Sequence, residues 1–109
     1  MRVLVFAGTH LRHLYFFHKL FELDLDFSAI VMQRDDSLPP APERATEGDR
    51  ALFDRHFSER ALVENEYFGH ANNERLFDTM PTLNVSPETL NSPTTVSFLR
   101  EQNPDAVVV

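Results

Sequence analysis

The sequence contains no cysteine. Disulfides and thiolate metal sites are therefore excluded, and the absence agrees with a cytoplasmic location. No apolar run approaches the roughly 18 residues that a membrane helix needs, and no signal-peptide pattern precedes the first apolar segment. Positive charge is scarce: ten Lys and Arg stand against 17 Asp and Glu, for a net charge of −7. Nonspecific nucleic-acid binding needs a positive surface that displaces phosphate counterions, so this segment is not expected to bind nucleic acid. The common nucleotide signatures are also missing. The stretch GTHLRH from Gly8 to His13 lacks the second and third glycines of GxGxxG, and no GxxxxGK[ST] occurs. A phospho-acceptor receiver domain would want acidic residues after the first strand and an aspartate ending the third, where this chain has Ala7-Gly8 and Asn84-Val85.

What the chain does contain is an alternation. RVLVFAGT, at 2–9, is an apolar run that stops at a glycine and turns into a helical pattern near His10. A run of that kind reads as a strand buried on both faces, as in a parallel sheet covered by helices. Apolar runs recur at 27–32, 82–85 and 106–109, with helical patterns between them. The expected fold is a three-layer, Rossmann-like α/β domain with a parallel sheet of about four strands in order 3-2-1-4 and helices on both faces. Its 109 residues suffice for one small domain. In such sheets the loop at the carboxyl end of the central first strand, here Gly8-Thr9-His10, is where ligands bind.

The first helix is expected at about 10–23, with Leu14, Phe17, Leu20 and Phe21 on one stripe. A polar, proline-rich loop follows the second strand at 34–46, where Pro39, Pro40 and Pro42 forbid a helix. The longest helix is expected at 48–72 and reads as amphipathic. One side carries Asp54, Arg55, Ser58, Glu59, Asn65 and Glu66, and the other Leu52, Phe53, Phe57, Val63 and Phe68. A last helix starts at Ser92-Pro93, with serine capping the free amides and proline in the first turn, and stops at Asn103-Pro104. A four-residue apolar strand at the terminus predicts a domain incomplete at its C-terminus, fragile or self-associating through that exposed last strand.

Two groups of residues stand out for chemistry. His10, His13 and His18 invite a metal reading, but their spacings and the lack of a neighbouring carboxylate do not match a ligand set, and no metal is expected. His10 remains a plausible ligand contact at the mouth of the first loop. On the long helix, His56, Arg60 and Glu64 are spaced by four and fall, with Tyr67, in the middle of the apolar face. Charged groups on a covered face must be paired or must line a polar site. Two readings stay open: an Arg60–Glu64 pair locked against a neighbouring loop or subunit, or a site in which Arg60 or His56 reaches an anionic substrate.

RVLVFAGT, FSAIVMQRDD and above all the closing LREQNPDAVVV resemble the N-terminal part of the catalytic domain of the folate-dependent formyltransferases. That superfamily includes methionyl-tRNA formyltransferase, glycinamide ribonucleotide transformylase and the sugar N-formyltransferases. The resemblance is strongest at the two ends of the chain and weaker over 34–84. The stretch carrying His56, Arg60, Glu64, Tyr67 and Phe68 departs from the methionyl-tRNA enzyme and fits a branch acting on an amino sugar or another small amine. The resemblance implies transfer of a formyl group from 10-formyltetrahydrofolate to an amine, without a metal. It also implies a catalytic asparagine, histidine and aspartate downstream of the last strand, so none is assigned in this chain. By resemblance the acceptor side of the cleft would hold Gly8, Thr9 and His10, with Gln33 and Arg34 as further candidates, and the isolated 109 residues would be inactive. The competing expectations are a non-catalytic Rossmann-like module binding a nucleotide or sugar phosphate, and a nucleotide-dependent transferase on the same fold.

Overall fold

A computed structural model of the chain describes residues 1–33, 39–71 and 75–109. Four strands, β1 (Arg2–Gly8), β2 (Asp26–Met32), β3 (Thr82–Val85) and β4 (Ala106–Val108), form one parallel sheet in the order β3-β2-β1-β4. The expected strand order is the one found. β1 is flanked by β2 along its whole length, from Arg2 opposite Asp26 to Gly8 opposite Met32. On its other side Val3 to Val5 pair with Ala106 to Val108.

The apolar runs explain the burial. Alternation sends Val3, Val5 and Ala7 of β1 and Phe27, Ala29 and Val31 of β2 to one face, where they meet Leu14 and Phe17 of helix α1 (Leu11–Leu20) and Phe77. Leu4 and Ile30 point to the opposite face and are equally buried. Right-handed crossovers put α1 on one side of the sheet and, because the chain reverses direction between β3 and β4, put helix α3 (Pro93–Gln102) on the other. Phe17, Phe21, Phe27 and Phe77 form the aromatic heart of the α1 side, with ring centroids 4.8 to 6.2 Å apart. Phe77 lies in the turns before β3, where sequence periodicity gave no sign of a core residue.

Element ends follow local chemistry. α1 is shorter than 10–23, because the chain leaves the helix at Phe21 and makes turns before β2. The left-handed conformation of Asn103 (φ 44°, ψ 58°) ends α3, and its N–H donates to the Leu99 carbonyl. Asp105 then ties β4 to β1. The Arg2 N–H donates to its carboxylate at 2.8 Å, and the Asp105 N–H donates to the Arg2 carbonyl at 2.9 Å. Ser92 corrects one expectation: it occupies the N-cap with extended backbone, yet its hydroxyl makes no capping bond and instead lies 3.5 Å from the Thr95 hydroxyl.

The long helix, α2 (Glu47–Phe68), is followed by a 3-10 turn at Gly69–Ala71 and has no buried residue. Its start is fixed by Thr46, whose hydroxyl accepts from the Asp49 N–H at 3.1 Å. Arg50 reaches back to donate to the carbonyls of Glu43 and Ala45, which fastens the described end of the proline-rich loop. The amphipathic face expected from the sequence is only partly realised. Phe53, Phe57, Arg60, Glu64 and Phe68 are half-buried, while Leu52, Val63 and Tyr67 are exposed. The reason is that α2 leans on α1 rather than on the sheet, with its inner face offset by less than one residue's step from the expected one. At about 33 Å long it projects from the sheet layers. The radius of gyration is accordingly 16.8 Å, against about 13 Å for a rounded domain of this length. Among the described residues no helix is long and apolar enough to cross a membrane.

Candidate functional site

The carboxyl edge of the sheet is set by register. Because Gly8 and Met32 are paired, the loop after β1 and the residue after β2, Gln33, leave the sheet side by side. The chain also turns to β2 on one side of β1 and returns to β4 on the other, so the crevice beside β1 is the topological switch point of the sheet. Gly8, Thr9 and His10 are half-buried there and Gln33 is exposed. Arg34 lies outside the described residues. Gly8 is the last residue of the strand, and no described glycine has a positive φ, so the turn is made by Thr9 and His10 without a left-handed glycine. His10 then serves as the N-cap position of α1 through its backbone: its carbonyl accepts from the N–H groups of His13 and Leu14, both at 2.9 Å. The rings of His10 and His13 meet edge to face at 5.7 Å. Among the described residues no three His, Asp or Glu side chains are grouped as a metal site.

Immediately beyond this loop lies a cluster that joins two helices. Arg12, in the first turn of α1, donates from Nη1 to Glu64 Oε1 at 2.8 Å across 52 residues of sequence. Arg60, one turn before Glu64 on α2, donates from Nε to the same oxygen at 3.0 Å. The Glu64 side chain is 19% exposed and those of Arg12 and Arg60 are 35% and 40% exposed. Burial alone would raise the Glu64 carboxyl above its ordinary value, but the hydrogen bonds and charges of Arg60 and Arg12 outweigh it and hold the carboxyl low. Glu64 is thus a fixed anion between two cations.

Aromatic contacts support the cluster from both sides. Tyr15 of α1 packs on Phe68 with centroids 5.1 Å apart and meets His70 edge to face at 5.9 Å. The Arg60 guanidinium lies 5.9 Å from the centroid of Phe57, which also contacts Phe53 and His56.

Of the four long-helix candidates, the structure brings Arg60 and Glu64 to the first turn of α1, close in sequence to His10. His56 and Tyr67 face solvent, His56 against the edge of Phe57. The residue that sequence reasoning missed is Arg12. Its signal was indirect: a half-buried acid such as Glu64 demands a cation, and Arg12 follows the loop by two positions. What the cluster can do chemically is present positive charge, since one carboxylate cannot neutralise two guanidinium groups. Comparison of the chain with protein-family models, with curated proteins and with solved structures gives no match in any of the three.

Proposed function

We propose that this chain is the N-terminal portion of a cytoplasmic transferase that moves a formyl group from 10-formyltetrahydrofolate to a small amine. The observation that carries the reading is the position of the FAGT loop. Gly8, Thr9 and His10 stand at the carboxyl edge of the central strand, at the switch point of a 3-2-1-4 parallel sheet. The NPD motif adds support, because Asp105 bonds the backbone of Arg2 and so sets β4 beside β1.

In this reading the loop and Gln33 receive the amine acceptor, and Arg12 and Arg60 add positive charge beside it. The folate donor and the asparagine, histidine and aspartate that the resemblance implies belong to residues downstream of β4. They would supply the formyl group, proton transfer and stabilisation of the tetrahedral oxyanion. The residues of this chain position the acceptor, and the isolated 109 residues are expected to catalyse nothing.

The test is the coding frame past codon 109, followed by assay of the protein it encodes. An Asn-x-His pair soon after β4, an aspartate some tens of residues later, and amine-dependent release of tetrahydrofolate are the expected results. A stop codon after Val109, or a continuation without the pair, overturns the proposal and leaves the loop at Gly8 as at most a binding site.

A further inference from the structure

The ion pairs of the chain differ in kind. Lys19–Glu22 and Arg55–Glu59 are one cation to one anion on open surface. Arg12 and Arg60 instead converge on a single oxygen of Glu64. The chain has 17 acidic residues against ten basic ones, so a shortage of carboxylates does not explain the sharing. Two guanidinium groups gathered on one oxygen repel each other, and the cluster keeps a net charge of +1 within a chain of net charge −7.

Donor capacity remains. A guanidinium carries five N–H donors in a planar fork. Arg12 spends Nη1 on Glu64 and Arg60 spends Nε, and both side chains stay more than one-third exposed. They reach the same carboxylate oxygen from different helices, Arg12 from α1 and Arg60 from α2. Glu64, mostly covered and held low in pKa by the two arginines, accepts from both forks and so aligns them. Arg12 also belongs to the first turn of α1, whose dipole favours an anion at that end.

We propose that Arg12 and Arg60, aligned by Glu64, form a binding site for the phosphate group of a small phosphorylated ligand. The site needs only these side chains and does not rest on the formyl-transfer reading. A phosphate fits better than a carboxylate, because its non-coplanar oxygens can meet two forks on different helices and its greater charge gains more from the pair.

The experiment titrates inorganic phosphate into the full chain at constant ionic strength, with chloride and acetate as comparison anions. The readouts are the side-chain Nε–H resonances of Arg12 and Arg60, and the contact between Tyr15 and Phe68 reports whether α2 stays docked. The expected result is a saturable displacement by phosphate, weaker with acetate and absent with chloride. Arg12→Gln and Arg60→Gln should each weaken phosphate binding by about tenfold, the loss of a charge-assisted bond. Should a glutamine variant undock α2, Arg12→Lys and Arg60→Lys decide instead, and they should keep the charge and bind within several-fold of wild type. No saturable displacement in the wild type, an equal response to chloride, or glutamine variants that stay docked and bind as wild type would each overturn the site and leave a structural clamp.

Discussion

The central strands and the long helix divide the molecule into two kinds of order. In β1 and β2, Leu4, Val5 and Ala29 are wholly removed from solvent. In α2, 22 residues long, no residue is buried, and Leu52 and Leu62 are 67% and 71% exposed. The difference teaches where stability resides: the sheet with α1 is held by apolar burial, and α2 is held by a capped end, a shared carboxylate and the edges of a few rings. Elements with few buried apolar contacts open at lower free energy than the core. The largest expected effect follows. Leu4→Ala should cost about 2 to 5 kcal/mol in denaturant unfolding, whereas Leu52→Ala should stay within about 0.5 kcal/mol. If Leu52→Ala costs as much as Leu4→Ala, the exposed face of α2 is covered in solution and the comparison fails.

Glu64 is the hinge between the two regions, and its effect should be intermediate. Both arginines are partly solvated, so the two ion pairs are discounted for screening, and Glu64→Ala should cost about 1 kcal/mol. Exchange protection in α2 should fall further than that in β1 and β2. The pH dependence has a definite sign. The folded carboxyl is held below its ordinary value of 4.5, so between the two values the unfolded chain binds the extra proton. The contribution of Glu64 is therefore complete well above pH 4.5 and is lost as pH falls through the lower, folded value. Unfolding of wild type and Glu64→Gln at neutral pH and near pH 3 checks this: the gap between them should narrow in acid. A gap that widens in acid would reverse the assigned shift.

The sequence made the sheet legible because burial on both faces leaves an unbroken apolar run, and because handedness then leaves few strand orders. The span of β3 and the approximate ends of β1, β2 and β4 followed from those runs. The side that α2 turns inward was legible only in part: Phe53, Phe57 and Phe68 are half-buried as expected. A helical wheel gives angles between residues but does not say what stands opposite, so Leu52 and Val63 read as covered when they face solvent. The candidate site split along the same line. Gly8, Thr9 and His10 could be placed from the strand-to-helix turn, and the anomaly of Arg60 and Glu64 was visible in their spacing. Arg12 was not, since its partner is 52 residues away and no local pattern links them. Phe77 was hidden for the opposite reason: it is a single core residue in a stretch of turns, with no period around it.

The smallest effect on stability, and the finest test of the contrast, concerns β4. It pairs with β1 through only Ala106 to Val108, and Val107 is 48% exposed. An edge strand with apolar, uncharged side chains is a template for another strand, and a lysine on such an edge is the usual protection. We propose that the isolated chain self-associates through this edge. Light scattering on dilution should show particles that dissociate, and Val107→Lys should abolish them while shifting monomer stability by less than about 0.5 kcal/mol, as for other exposed positions. Leu62→Lys, a similar charge on the open face of α2, should leave the association unchanged. If Leu62→Lys dissolves the particles and Val107→Lys does not, the long helix rather than the sheet edge is the adhesive surface. The division between a self-sufficient sheet and a merely attached helix would then have to be redrawn, with α2 as an element that completes its packing only between molecules.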